Sequence, residues 1–368
     1  MTTAADVVFR MLLSRKPLSR ADLARHAQVS RTYIANLTDQ LLRACILRES
    51  GADFSPLGRP PVWLSWSDDG PRYIVGIVDS RNVSLGWFTP GTGYLHQSSV
   101  TVPHTGGATV IDATLAGIEQ IANGASQPAE GIGVAIPGIV DTERGVVVQA
   151  INLNLRNVLF KDSIAQRFKV PVTVMRAPEA AAFAESIVRS ESDLFYVDTG
   201  WGVGGCVVQG GSPVEGYHHS GGEIGHVVVQ PGGHTCRCGQ QGCLETLISI
   251  PKLSERFHDD GLWQKLTRDS KVPSGLQPGL VQDVVHWLSL ALVSVVSLID
   301  PKTIIIGPIL QHLDENLADK LKTELNRHRL PEHHVQLAAA AIPFPAVEGA
   351  GMALVIEDLK LRLKLSRT

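Results

Sequence analysis

The chain has 368 residues, of which 44% are hydrophobic and 19% are charged, and its formal net charge is -3. This length and apolar content predict two or three globular units with buried cores and exclude a disordered chain. Neither a secretory leader nor an apolar run of the ~20 residues that span a bilayer is recognisable, so we expect a cytoplasmic protein without a membrane partner.

The charge is distributed unevenly along the chain. Residues 1–66 carry 9 Arg plus Lys against 5 Asp plus Glu, and the remainder carries 24 against 31. A basic segment attached to an acidic body predicts that the first segment binds a polyanion, because only that segment gains by displacing counterions from phosphates.

The first 50 residues contain the pattern of a helix-turn-helix. Apolar residues recur at helical spacing over residues 4–13, and Ser19 opens SRADLARHAQ as a helix cap with Asp22 three positions on. The next helix, RTYIANLTDQLLRAC, places its first residues in the major groove of double-stranded DNA if the unit docks as such motifs do. The candidate DNA-reading residues are Ser30, Arg31, Thr32, Tyr33 and Asn36.

The following segment, ILRESGADFSPLGRPPVWLSW, predicts two short strands around a loop. Arg59 lies at the tip of that loop, between Gly58 and Pro60, and is a sixth candidate DNA contact. Two strands around such a loop would form the wing of a winged helix-turn-helix. A plain three-helix packing module would explain the leucines, but it would not explain the helix cap, this wing and the positive charge together.

From Tyr73 onward, β-branched runs broken by glycine alternate with helical segments, which predicts an α/β architecture with mixed or parallel sheets and two similar lobes around a cleft. We assign residues 1–68 to a winged helix-turn-helix, 69–186 to a first lobe completed by a helix within 346–368, and 187–345 to a second lobe. The helix QDVVHWLSLALVSVVSLI is apolar on more than one face. It fits a core helix or, less well, a subunit contact.

The stretch HTCRCGQQGCLE, residues 234–245, places Cys236, Cys238 and Cys243 within eight positions. In a reducing compartment such a cluster is more often a metal site than a disulfide framework, and a structural zinc takes four ligands. Proximity alone favours His234 as the fourth ligand, and a labile dithiol or three structural thiols are the alternatives to a metal.

Four motifs in order resemble the ROK family (repressor, open reading frame, kinase): the winged helix ending in GRPP, GIGVAIPGIVD at 131–141, GGEIGH at 221–226 and CRCGQQGCLE at 236–245. The resemblance implies an actin-like (sugar-kinase/RNase H-like) two-lobed domain behind the helix-turn-helix. It also implies that the fourth ligand of a structural zinc is His226. The sugar-binding residues that it implies are Asn152, Glu223, His226 and Glu245.

The same resemblance argues against an enzyme. The Asn-Asp pair that supplies the base in the family's kinases falls on Arg176 and Ala177, neither of which accepts a proton. The glycine turn after the first strand has become Asp79-Ser80-Arg81, Trp201 replaces a small hydroxyl residue, and the late glycine pair is Gly307-Pro308. We therefore expect no ATP binding, and a sugar kinase is the disfavoured alternative.

The presence of Arg176 leaves undecided which class of effector binds and whether one binds at all. Its guanidinium could bind an acidic or phosphorylated sugar through two parallel hydrogen bonds. Alternatively, it could pair with Glu223 or Glu245 and close the pocket, which would give an effector-independent regulator. A neutral sugar held by altered contacts is a third interpretation.

The sequence thus predicts a transcriptional repressor that binds an inverted-repeat operator as a homodimer or dimer of dimers and senses a carbohydrate-derived effector. A zinc-stabilised scaffold that binds protein partners is the alternative outside regulation.

Overall fold

The computed structural model describes residues 3–51, 62–102, 106–268, 272–273, 276–328 and 334–365. Within these ranges the α/β class predicted from the sequence is confirmed: an N-terminal helical unit precedes two sheets, each covered by helices.

The N-terminal unit is the predicted helix-turn-helix with a small antiparallel sheet of order β1-β3-β2. Ser19 and Asp22 form the predicted capping box at the start of the second helix. The leucine and isoleucine side chains at helical spacing are buried and hold the two helices of the motif together. The elements are α1 (Ala4–Leu13), β1 (Leu18–Ser19), α2 (Arg20–His26), α3 (Arg31–Arg43), β2 (Leu47–Ser50) and β3 (Trp63–Trp66).

The first lobe is built on a five-stranded mixed sheet of order β11-β7-β4-β5-β6, in which β11, β7 and β4 are parallel. A separate three-stranded antiparallel sheet has the order β10-β9-β8. The lobe's elements are β4 (Tyr73–Val78), β5 (Asn82–Thr89), β6 (Gly93–Thr101), α4 (Gly107–Asn123), β7 (Gly131–Ile136), β8 (Ile139–Asp141), β9 (Val146–Ala150), a 3₁₀ turn (Ile151–Leu153), β10 (Leu155–Val158), α5 (Phe160–Phe168) and β11 (Val172–Arg176). Helix α6 (Ala177–Arg189) follows directly and packs chiefly on the sheet of the second lobe and on the last helix.

The second lobe repeats the layered design around a sheet of order β14-β13-β12-β15-β16. The chain then returns to the first lobe, because the last helix packs on α6, β7 and β11. The elements are β12 (Leu194–Thr199), β13 (Val203–Gln209), β14 (Ser212–Pro213), a 3₁₀ turn (Ile224–His226), α7 (Glu245–Ile248), α8 (Ile250–Phe257), α9 (Leu262–Arg268), α10 (Pro278–Ile299), β15 (Thr303–Ile306), α11 (Pro308–Gln311), α12 (Leu317–Leu325), β16 (Gln336–Ala339) and α13 (Glu348–Arg362).

Helix α10 is long and apolar enough to cross a membrane by length and composition, but half of its apolar window, Gly279–Ile299, is buried inside the second lobe. Leu288, Leu292 and Val296 belong to that lobe's core. Leu298, near the helix end, is 82% exposed. A core helix with an uncovered last turn accounts for these positions.

Helix α1 touches both lobes and so joins the helix-turn-helix unit to them. Asp6 forms an ion pair of 2.8 Å with Lys360 on α13 of the first lobe. Arg10 donates to the carbonyl of Gly211 and to Ser212 Oγ (3.2 Å) in the β13–β14 turn of the second lobe. A change in the angle between the lobes therefore acts on α1 from both sides.

Candidate functional site

The candidate DNA-reading residues lie at the N-terminus of α3. The side chains of Ser30, Arg31, Thr32 and Asn36 are exposed, and that of Tyr33 is half-buried. Ser30 also caps the helix, since its Oγ accepts from the backbone N–H of Tyr33 at 3.1 Å.

Neighbouring arginines of the same unit are engaged with carboxylates, including Arg20 with Asp39 at 2.9 Å and Arg48 with Asp68. Arg31 is exposed at the start of α3. The sixth candidate, Arg59, lies outside the described residues.

The metal-ligand candidates His226, Cys236, Cys238 and Cys243 are brought together, with all four ligand atoms within 4.8 Å of one another. Cys238 Sγ lies 3.7 Å from Cys243 Sγ, and Cys236 Sγ lies 3.6 Å from His226 Nδ1. A tetrahedron with Zn–S bonds of about 2.3 Å has edges of about 3.8 Å, so this donor set fits a zinc ion. His234, the candidate favoured by proximity, is not part of the cluster.

The fold of residues 226–243, called the metal loop below after its candidate metal ligands, explains why His226 rather than His234 lies with the cysteines. Val228 pairs with Cys243 as an isolated β-bridge, which lays the turn containing His226 against the cysteine loop. Gly242 has a φ of +79°, and a Cβ there would lie 1.8 Å from the carbonyl oxygen of Gln230. Only glycine allows this close approach of two backbone segments.

The carboxylates and amide expected to bind an effector line the cleft beside the metal cluster. His226 Nε2 faces Glu223 Oε2 at 4.0 Å, while its Nδ1 faces the cysteines. Glu245 Oε2 accepts from the backbone N–H of Val203 at 3.1 Å. Burial raises the pKa of Glu223 above its ordinary value, although the Arg176 guanidinium opposes that rise.

Asn152 belongs to the first lobe and reaches the second through a residue that the sequence did not single out. Arg237, between two of the cysteines, donates from Nη1 to Asn152 Oδ1 at 2.6 Å. The sequence could have indicated Arg237 by its position between Cys236 and Cys238, because a long charged side chain on a loop held by the cysteines can contact the opposite side of the cleft.

Arg176 is 0% exposed at the base of the cleft. Its Nη1 donates to Glu223 Oε1 at 2.9 Å, its Nη2 donates to the carbonyl of Gly221 at 2.6 Å, and its Nε lies 3.0 Å from Glu179 Oε1. Burial alone would lower the pKa of Arg176, but Glu179 and Glu223 raise it above its ordinary value. Of the two roles left open, pairing with Glu223 is the one this structure contains, and in this conformation Arg176 has no surface to offer an effector.

The segments in which the family resemblance would place a kinase's phosphate-binding turns carry side chains that contact one another. The guanidinium of Arg81 lies 4.5 Å from the centre of the Trp201 ring, and Trp201 packs against Trp263 with ring centres 5.2 Å apart. Asp79 accepts from two backbone N–H groups of the turn that follows it, those of Arg81 (2.7 Å) and Asn82 (2.8 Å).

The start of α11 carries a carboxylate of the protein itself. Asp198 Oδ1 accepts from the backbone N–H of Leu310 at 3.0 Å, and Oδ2 accepts from that of Ile309 at 3.3 Å. Burial raises the pKa of Asp198 to about 7 although these bonds lower it. A Cβ on Gly307 would lie 2.3 Å from the Asp198 side chain, so glycine is needed for this contact. The sequence reasoning did not identify Asp198.

Comparisons with known proteins point to one family. The model of the ROK family matches residues 93–354. A xylose repressor from Caldicellulosiruptor bescii is 25% identical over 381 residues, which cover 96% of this chain and 95% of the repressor.

Two solved structures share the fold. A ROK family transcriptional regulator, a homologue of the E. coli MLC protein, superposes with a TM-score of 0.76 at 22% identity and covers 99% of this chain and 97% of its own. A ROK family glucokinase from Streptomyces griseus, solved with glucose and AMPPNP, gives 0.66 at 24% identity and covers 77% of this chain and 98% of its own. The regulator thus matches the chain over nearly its whole length, and the kinase leaves about a quarter of it unmatched.

Proposed function

The chain belongs to the ROK family, and on that premise we propose that it is a DNA-binding transcriptional repressor, cytoplasmic and dimeric, that responds to a carbohydrate-derived effector. One arrangement supports the proposal: a helix-turn-helix with an exposed first turn of α3 is joined to the family's fold, in which Arg81, Trp201 and Asp198 occupy or adjoin the segments that the resemblance assigns to phosphate binding. The proposed boundaries are residues 1–68 for the DNA-binding unit, 69–186 with 346–368 for the first lobe, and 187–345 for the second.

The DNA-binding half of the proposal rests on α3. Its exposed first turn fits the major groove, where Arg31 and Asn36 can reach base edges or phosphates. Two copies related by a two-fold axis would place two such helices on an inverted repeat. The xylose repressor, similar over 96% of this chain, supports repression rather than another use of the same fold.

Absence of phosphoryl transfer is the second part of the proposal. The residue at the base position is Ala177, which cannot accept a proton. At the start of α11 the Asp198 side chain takes the backbone N–H groups that a phosphate would need. When it is ionised, its negative charge also repels a phosphate.

We propose that His226, Cys236, Cys238 and Cys243 hold a structural zinc. A zinc ion supplies a fixed point that holds the loop to the second lobe, and four protein ligands leave no position for a catalytic water. The loop residue Arg237 is then fixed at the mouth of the cleft, and His226 Nε2 is directed towards Glu223.

The effector is proposed to bind among Asn152, Glu223, His226 and Glu245. Carboxylate oxygens and the imidazole suit the hydroxyl groups of a sugar, each of which donates one hydrogen bond and accepts others. Arg176 contributes to this site through Glu223.

The lobes transmit the effector's presence through α1. Arg10 lies 5.1 Å from the centre of the Phe183 ring on α6 and is bonded to Gly211 and Ser212 in the second lobe. Asp6 pairs with Lys360 on α13, which packs on the first lobe's sheet. Movement of one lobe against the other displaces α1, and with it the attached helix-turn-helix.

Fluorescence anisotropy with the promoter region of the protein's own gene, with and without D-xylose or D-glucose, tests the proposal. We expect tight binding by wild type and a loss of about tenfold or more in Arg31→Ala, the range for one base or phosphate contact. Arg167→Ala, a surface arginine paired with Glu119 far along the chain from the helix-turn-helix, is the matched control and should bind as wild type does. Failure of the folded wild type to bind this promoter and its neighbours would refute the proposal.

A further inference from the structure

Three arginine side chains cross the cleft between the lobes. Two extend from the first lobe to the second, and one extends from the metal loop of the second lobe to the first. The pairs are Arg81 with the Trp201 ring (4.5 Å), Arg176 with Glu223 (2.9 Å) and Arg237 with Asn152 (2.6 Å). The protein's own side chains thus connect the lobes at three places.

Arg176 dominates this set because it is fully buried, whereas Arg81 and Arg237 are exposed. Exposed cation–π contacts and polar pairs contribute little to stability. A buried guanidinium that loses two of its partners loses part of what offsets its removal from water, which is unfavourable. Both second-lobe partners of Arg176, the carboxylate of Glu223 and the carbonyl of Gly221, would move away together if the lobes separated.

The remaining partner of Arg176 stays with it. Glu179 lies three residues after Arg176, in the first turn of α6, and its Oε2 also accepts from the backbone N–H of Arg176 at 3.2 Å. When the cleft opens, Arg176 and Glu179 would remain as a neutral pair. The Glu223 side chain, already 28% exposed, would pass into water. The open state is therefore accessible, but it requires something to compete for Glu223.

We propose that Arg176 is a latch that holds the two lobes closed in the absence of an effector. A ligand that engages Glu223 weakens the latch and lets the lobes separate. The release of the latch by a ligand rests on the proposed effector response, whereas the latch itself does not. The direction is opposite to that of enzymes whose lobes close when the substrate binds.

Hydrogen exchange measured by mass spectrometry on the full chain tests the latch. The variant combines Arg176→Met with Glu179→Gln, so that the fully buried Glu179 is not left as an unpaired charge and Glu223, which is 28% exposed, is the carboxylate released. The matched control combines Arg167→Met with Glu119→Gln, a surface pair within the first lobe. It makes the same charge change without crossing the cleft.

We expect the cleft segments 150–154 and 200–205 to exchange at least about tenfold faster in the latch variant, while the strands of the first-lobe sheet and the control stay as in wild type. Equal exchange of these segments in folded variant and wild type would overturn the proposal. So would an equal rise throughout the first lobe, which is what a merely structural role of Arg176 predicts.

Glu223→Gln provides a second measurement if the double variant does not fold. It keeps the side chain's shape and removes the charge on the opposite lobe, so the same two segments should exchange faster. Wild-type levels of exchange would again contradict the latch. DNA binding by wild type is measured separately, so failure of the proposed function and failure of the latch are distinguishable.

Discussion

Asp198 makes the stability of the second lobe depend on pH. The carboxyl group is buried between β12 and the start of α11, and burial raises its pKa from 3.8 to about 7. Replacement by asparagine keeps the side-chain shape and an oxygen that can accept from the backbone N–H groups of Thr199 and Leu310. The variant lacks the titrating proton.

The sign of the effect follows from proton binding. Below about pH 4 the carboxyl group is protonated in both the folded and the unfolded chain. Between pH 4 and 7 the unfolded chain loses this proton while the folded chain keeps it, so the free energy of unfolding falls as the pH rises. The loss is complete just above pH 7. Its full size is about 4 kcal/mol, because each pKa unit corresponds to ~1.4 kcal/mol.

Urea unfolding at fixed protein concentration from pH 4 to 8.5 measures this contribution as the difference between wild type and Asp198→Asn. Contributions from all other groups cancel in that difference. We expect wild type to lose up to about 4 kcal/mol relative to the variant across this range. Asp112→Asn, at an exposed position of α4, controls for the loss of one carboxyl group. A difference that stays constant with pH would refute the reasoning and show that the backbone N–H groups keep Asp198 ionised.

Three further outcomes are expected. Metal analysis of purified wild type should find about one zinc per chain, the stoichiometry of one four-ligand site. Gly242→Ala should lose more than half of that zinc, because its Cβ meets the carbonyl of Gln230. Gly239→Ala is the matched control: its φ is also positive, at +95°, but the space around its Cβ is open, so it should lose less zinc. Arg10→Ala should lower the free energy of unfolding by about 1–2 kcal/mol in urea titrations through loss of its Phe183 and Gly211 contacts, and an unchanged midpoint would contradict the docking of α1.

The sequence predicted the helices, strands and lobes because their signals are local. Helix caps such as Ser19 with Asp22 act over three residues, and β-branched runs mark the buried strands within a few positions. The family resemblance supplied the connection between these pieces. The prediction that the last helix returns to the first lobe came from that resemblance, because no local sequence pattern indicates it.

Contacts across the cleft could not be predicted, because they depend on how distant segments meet. Proximity favoured His234, yet the bridge between Val228 and Cys243 places His226 with the cysteines. Arg176 had two possible partners in the sequence, and only the folded chain shows it beside Glu223. Such pairings join residues tens of positions apart, for which spacing carries no information.

The residues proposed to exclude kinase chemistry and those that connect the lobes are largely the same. The resemblance places small or uncharged residues of the family's kinases where this chain has Arg81, Arg176 and Trp201, and these side chains form the contacts of Arg81 with Trp201 and of Arg176 with Glu223. A kinase needs an empty cleft that opens and closes in every turnover, so such contacts would slow it. A repressor needs a resting conformation that lasts until an effector arrives, and the same contacts provide it. On the proposed function, the absence of phosphoryl transfer and the stabilisation of one resting state are therefore two results of a single set of residues.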